Sequence, residues 1–532
     1  MSGWSPNFVA AARLSAGLLL AFTAGCGRPP APSGESILRL SQRNEPASLD
    51  PATTTLPDEF GLLRALLEGL LVPGSAGEPP QPGAAIRFEV SPDSRTYVFH
   101  LRPDGRWSDG TPVTAADFVA AYERALRPAT ASPKAAAFYA VTGARAYATG
   151  QLADFGAVGF RALDPRRLEI RLEQPNPRFP HHVASGPWLP TRADVVARHG
   201  RRWTEPGNFV GNGPFLLAAW RPDQRIVVRR NPAWHGAAGV TLAEVQFLRF
   251  DSGDSEERAY RAGQLEATMA IPGGKLSAWE RERPAEVRRA PMLETRYLAF
   301  NTRRPALTLG VRRALALALD RERLATTVLQ GGHRAADRFL PPGVAPTAAP
   351  AGGNVRFDAE AARAELARAG FPGGRGLPPL ELSGWTQTPL LEAIQQLWRR
   401  ELGVETTIAV REARVHLDAL RQGAFDLAFI TAIPDAADPL ALLADFGPGH
   451  PLNYPGWNDP DYGQLLAAAA ATADPAERDG RIAAAEDALL AACPLTPLYF
   501  NTKIWLFSPR VQGWEEDGLW GRTYHRLRLL PP

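Results

Sequence analysis

Apolar positions recur along this chain with two periods, and the switches between them outline its elements. ILRLS (37–41) alternates, and RTYVFHLR (95–102) sets Tyr97, Phe99 and Leu101 on one side, the period-two pattern of a half-buried strand. GFRAL and RLEIRLE flank an Asp164-Pro165 turn as two more strands. FGLLRALLEGLL (60–71) instead carries a broad apolar helical face. TPVTAADFVAAYERAL predicts a helix with Phe118, Tyr122 and Ala125 inward, Thr114 as its cap and Asp117 accepting back to that cap. GNGPFLLAAWRPDQRIVVRRNPAW (211–234) predicts a hairpin of strands 215–220 and 225–230. In it, Gly211 and Gly213 mark close backbone approach or positive φ.

From about residue 295 the two periods interleave. TRYLAFNT predicts a strand and VRRALALALDRERL (311–324) a helix. Asp358 caps a helix that stops at Gly370. Leu391, Ile394, Trp398 and Leu402 share one face of a helix that stops at Gly403, with Leu397 at the edge of that face. VETTIAV and FDLAFIT are strands, and a helix over about 475–492 leads into a return strand, PLTPLYFNTKIWLF. This alternation implies α/β architecture with a partly parallel sheet.

At 532 residues the chain exceeds one ordinary core, so two or three lobes are expected. Its net charge of +3 balances 59 basic against 56 acidic residues, and only three of the basic ones are lysines: Lys134, Lys275 and Lys503. The arginines alternate with Asp and Glu rather than clustering, which argues against nucleic-acid binding.

The start of the chain stands apart. LSAGLLLAFTAG is too short to span a bilayer but suits a signal-peptide core. Thr23-Ala24-Gly25-Cys26 resembles the lipobox of bacterial lipoproteins. That resemblance implies a signal peptide over 1–25, lipidation of Cys26 and a flexible Pro/Gly/Ser tether over 26–36; the alternative is an ordinary cleaved signal with a chance cysteine. Cys493, the other cysteine, has apolar neighbours and is expected to be a buried, inert thiol.

No GxSxG, HExxH, CxxC or phosphate-binding loop is present. His181 and His182 adjoin in a proline-flanked loop, a poor geometry for one metal site. AIPDAADP (432–439) sets Asp435 and Asp438 after an apolar strand, where they could serve a metal, a proton transfer, a ligand's ammonium or the turn itself. The segment lacks the dense oxygen ligands of a calcium loop, and nothing proposes a nucleophile beside it. The residues alone favour turn or cap for Asp438 and leave Asp435 open between turn and ligand.

Seven ordered blocks then converge. They are EPASLDP (45–51), LLEGL (66–70), YVFHLRPDGRWSDGTPVTAADFVAAYERAL (97–126), GNGPFLLAAW with RRNP (211–232), ETRYLAFNTRRP with VRRALALALDRERL (294–324), QGAFDLAFITAIPDAADP (422–439) and CPLTPLYF (493–500). Their order resembles the bacterial extracellular solute-binding proteins of family 5, the peptide-binding components of ABC importers. The resemblance implies a two-lobe periplasmic-binding-protein fold, class II-like, that closes on its ligand like a Venus flytrap. Lobe I would comprise 37–78, 205–290 and 500–532, a subdomain on it 79–204, and lobe II 291–499, with hinge segments near 290 and 500.

It further implies a non-enzymatic receptor without cofactor or metal, monomeric and anchored by lipid in the periplasm or at the cell surface. The receptor would capture peptides and deliver them to a membrane permease with its cytoplasmic ATPase. Position by position, Asp435 matches the aspartate that takes the peptide's amino terminus; Ile433, Ala47, Ser48, Asn453, Tyr454 and Trp457 are further ligand-binding candidates. Ala432 stands where relatives often have Trp, and Pro434 stiffens the turn. The same fold could instead hold an oligosaccharide, a nickel chelate or heme, or serve a surface sensor or chaperone-like protein without a transport role.

Overall fold

The computed structural model describes residues 36–42, 44–75, 78–272, 274–346, 356–385 and 389–531. Cys26 and the expected signal segment lie outside the described residues.

One body holds two four-stranded sheets. In the first, Ile37–Gln42 runs parallel to Glu244–Arg249, which pairs antiparallel with Arg225–Arg230 and through it with Phe215–Arg221. The second is wholly antiparallel, ordered Ala85–Val90, Thr96–Leu101, Arg167–Arg171, Phe160–Asp164. Helix Ala115–Leu126 packs on it, and its inward Phe118, Tyr122 and Ala125 share one core with Leu38, Phe99, Trp188 and Phe247. Its start is fixed as expected: the Asp117 carboxylate accepts from both the backbone N–H and the hydroxyl of Thr114, at 2.8 Å each.

The other body is built on one six-stranded mixed sheet. Its order is Arg334–Ala335, Leu495–Leu506, Val287–Phe300, Leu427–Ala432, Leu380–Gly384, Thr406–Val410, and the last three strands are mutually parallel. Period two decides what each face buries. Leu427 and Phe429 enter a core with Ile394 and Trp398 of helix Pro389–Leu402, whereas Ala428, Ile430 and Ala432 enter one with Leu443 and Leu489. Gly370 and Gly403 stop their helices at φ of 95° and 67°, as the sequence implied. Cys493 is buried, and burial pushes its thiol up to about 11, which leaves it protonated and unreactive. Among the described residues, no helix is long and apolar enough to cross a membrane.

Two expectations fail locally, each for a physical reason. The helix expected over 60–71 is Pro57–Leu66, and Leu67 is already extended. Asn212 grips the next residue from both sides: its Oδ1 accepts from the Glu68 N–H at 2.9 Å, and its Nδ2 donates to the Glu68 carbonyl at 2.8 Å. Gly211 and Gly213 let that loop lie against Leu66, where an added Cβ would meet backbone atoms at 2.2 and 2.5 Å. The helix expected over 311–324 is broken after Leu317. Arg321 is buried there, and its guanidinium reaches the Pro497 carbonyl at 2.6 Å and the Thr496 hydroxyl at 2.6 Å. A buried guanidinium needs such acceptors, so the chain turns to supply them.

Val287–Phe300 and Leu495–Leu506 run antiparallel from one body into the other. Pairing holds from Val287 opposite Leu506 to Pro291 opposite Thr502, and resumes at Thr295 opposite Phe500. Between them Met292, Leu293 and Glu294 face Asn501 alone, so the ladder is interrupted where the bodies join.

Candidate functional site

The acidic turn leaves the carboxyl end of Leu427–Ala432, a central strand of the six-stranded sheet, and delivers its side chains to the gap between the bodies. Asp438 caps helix Pro439–Ala444, its Oδ1 accepting from the Leu440 N–H at 3.1 Å. The buried guanidinium of Arg478, from helix Pro475–Ala492, lies 3.1 Å from Oδ1. His182 Nε2, from the opposite body, lies 2.9 Å from Oδ2. Burial alone would raise the Asp438 pKa, but the His182 hydrogen bond and the Arg478 charge outweigh it and hold the group well below the carboxylate range. Asp438 is thus the placing aspartate that the sequence favoured.

Asp435 is the reachable one. Its side chain keeps 40% exposure, and its Oδ1 accepts from Lys134 Nζ at 2.6 Å. Lys134 comes from the opposite body, beside Ala135 and Ala137, which pack on that body's core. Asp445 lies in the same electrostatic neighbourhood. Burial, reinforced by Asp435 and opposed by Lys134, raises its carboxyl to about 8.

Among the described residues, cavities open between the bodies, and two of them border the acidic turn or the strand before it. Asp435 borders one of about 290 Å³, together with Arg64, Arg178, His181 and Asp517. Burial, with Arg178 and His182 adding to it, lowers His181 to about 4, so it stands neutral there. Ile433 borders the other, of about 400 Å³, whose wall is largely apolar: Leu56, Met269, Trp385, Ile430 and Trp520. Its polar floor is Glu294, at the ladder interruption. Glu294 accepts from Asn501 Nδ2 at 2.7 Å, from Arg296 at 3.3 Å and from the Trp520 indole. Arg296 also donates to the Thr431 hydroxyl.

The remaining candidates border neither cavity. Ala47 is exposed and its N–H donates to Glu59 at 3.2 Å. The Ser48 hydroxyl accepts from the Asp50 N–H at 3.1 Å, and Asp50 is itself held by Arg124. Asn453 Nδ2 donates to the Phe446, Gly447 and Trp457 carbonyls, which ties its own loop together. Tyr454 is buried, and Trp457 packs on Tyr462 with ring centroids 4.7 Å apart. Asn44 and Asp58, flanking the expected EPASLDP contacts, do border the larger cavity.

Sequence reasoning missed Lys134, Trp385, His416 and Trp520. Lys134 sits in an alanine- and proline-rich stretch whose one distinction is a lysine in an arginine-rich chain. His416 and Trp520 meet in the larger cavity although they lie about a hundred residues apart, a proximity no local pattern encodes.

Residues 79–451 match the bacterial extracellular solute-binding proteins, family 5, over its middle region. The chain belongs to this family. A relative, the probable deoxycholate-binding periplasmic protein YgiS of Escherichia coli, is 32% identical over 96% of this chain and 95% of its own length. Among solved structures, the Escherichia coli murein tripeptide-binding protein MppA superposes with a TM-score of 0.86 at 29% identity, over 94% of this chain and 99% of MppA. Haemophilus influenzae OppA, in complex with the peptide RPPGFSPFR, superposes with a TM-score of 0.84 at 25% identity, over 94% of this chain and 99% of OppA. The two-lobe fold is therefore that of the family's periplasmic peptide-binding members. MppA in its unliganded open form fits less well, at 0.76, so the lobes here stand nearer the first MppA arrangement than the open one.

Proposed function

We propose that this chain is the substrate-binding receptor of an ABC importer, capturing peptides between its lobes and delivering them to a membrane permease. The observation that carries this reading is Asp435: a reachable carboxylate at the end of a central strand, on an inter-lobe cavity wall, already engaged by a cation from the facing lobe. A peptide's terminal ammonium presents the same chemistry as that cation. Lobe closure removes water from the pair and strengthens its hydrogen bonds. Relatives bearing the names murein peptide-binding and oligopeptide-binding protein support a peptide ligand.

In this reading the protein is a binder and not an enzyme, acts as a monomer and needs no cofactor. Lobe I is 37–78, 205–290 and 500–532, its subdomain 79–204 and lobe II 291–499, a reading supported by the two four-stranded sheets, which fall within lobe I and its subdomain, while two strands of the six-stranded sheet cross the bounds at 290 and 500. Lipid at Cys26 tethers it in the periplasm or at the cell surface, after removal of a signal peptide over 1–25. Asp435 anchors the ammonium, and Ile433 lies along the ligand.

Asp435→Ala is expected to weaken binding of tri-L-alanine at least about tenfold, since truncating one member of a desolvated charge pair costs ~2–5 kcal/mol. N-acetyl-tri-L-alanine is expected to bind poorly. Calorimetry showing unchanged affinity for the variant removes Asp435 from the site.

A second reading rests on the larger cavity. Its apolar wall with Arg296 beside it suits an amphipathic anion, and one relative is named a probable deoxycholate-binding protein. Titration with deoxycholate separates the two: saturable binding that displaces no peptide would place it in a different subsite, and no binding would dismiss it.

A further inference from the structure

Lys134 is one of three lysines among 59 basic residues, and its ammonium lies against Asp435, the exposed carboxylate of the acidic turn. It arrives from a position 301 residues away, on the lobe that faces Asp435 when the cleft narrows. Its stem is mostly covered, with 22% of the side chain exposed, so the ammonium is held in place rather than swinging in solvent. His182 makes a second contact across the same gap, to Asp438, so two basic side chains of one lobe hold two acidic ones of the other.

From this geometry we propose that Lys134 is a built-in competitor for the ligand's ammonium: it closes the empty cleft on Asp435, and a peptide binds only by displacing it. The inference rests on Asp435 being the ammonium anchor. It gives Lys134 a gating role: every ligand meets the same cost of displacing it, and only one that brings its own cation recovers that cost at Asp435. A neutral or acylated amino terminus cannot do so.

The size of the effect follows from linkage. When a site is available only part of the time, the apparent dissociation constant rises by the reciprocal of that fraction. A part-exposed ion pair is worth at most about 1 kcal/mol, or about fivefold. Lys134→Met and Lys134→Gln shorten the side chain by one atom and remove its charge. Both are expected to bind tri-L-alanine about threefold to fivefold more tightly than the wild-type protein, read by calorimetry at low salt. Both are expected to tighten N-acetyl-tri-L-alanine by the same factor, which leaves the preference for the free peptide unchanged. In the ligand-free state, small-angle scattering is expected to show a larger radius of gyration for both variants.

If Asp435→Asn weakens binding while neither Lys134 variant tightens it, the competitor is overturned and the anchor stands. If Asp435→Asn leaves binding unchanged, or the wild-type protein does not bind the peptide at all, the anchor fails and the competitor with it.

Discussion

Asp438→Ala is the most severe single perturbation the site offers. The carboxylate is 2% exposed, caps helix Pro439–Ala444 and faces a guanidinium whose side chain is also 2% exposed. Removing it leaves Arg478 charged, buried and short of its partner, because Arg478 Nε already has none among the described residues. Breaking one side of a buried pair costs ~3–5 kcal/mol. Losing an aspartate cap costs ~0.5–2 kcal/mol. The two overlap, since one group does both jobs, so a loss of about 4 kcal/mol is expected in urea unfolding followed by tryptophan fluorescence. Asp438→Ala with Arg478→Met removes the orphaned charge and is expected to recover all but the cap.

The pH dependence follows from the depressed pKa. The folded carboxyl stays ionised below the pH at which the unfolded one takes up its proton, so the stabilisation is complete above the ordinary carboxylate range. It drains away only as pH falls below about 4. The gap between wild type and Asp438→Ala should therefore stay constant from neutral pH to mild acid and then shrink. A single variant costing under about 1 kcal/mol, or a double variant no better than the single, would refute the reasoning.

Two further predictions concern stability. Asp445 is raised to about 8, so the folded protein holds a proton that the unfolded chain has released, and stability falls as pH climbs from about 4 to 8. Asp445→Asn should remove that slope: melting curves taken between pH 5 and 9 should diverge in favour of the variant as pH rises, and parallel curves would count against the raised carboxyl. Asn212→Ala orphans the buried N–H and carbonyl of Glu68 together and should cost about 2–4 kcal/mol in the same urea experiment. A loss below about 0.5 kcal/mol would mean that water takes over both bonds.

Local chemistry read from the sequence was reliable where one segment settled the matter. Alternation in FDLAFIT sorted its residues to the two faces of the sheet, and Thr114 with Asp117, Asp358 with Gly370, and Gly403 bounded helices from within a turn of chain. Asp438 as a turn residue was legible too, because a capping aspartate before proline acts on backbone only two residues away. The failures came where a distant group intervened. Helix 57–66 ends early because Asn212 takes the backbone of Glu68, and the helix after Thr308 breaks because Arg321 must reach the return strand.

The sequence by itself determined the periods, the caps, the order of blocks and that Asp438 belongs to the turn. Only the tertiary structure decided what meets that aspartate. Lys134 and Asp435 carry no mutual pattern, and Trp385, His416 and Trp520 share a cavity only because two lobes come together. Hydrophobic period and capping act over a few residues and leave their mark in the order of the chain; charge pairing across a cleft depends on distance in space, which the chain order does not record.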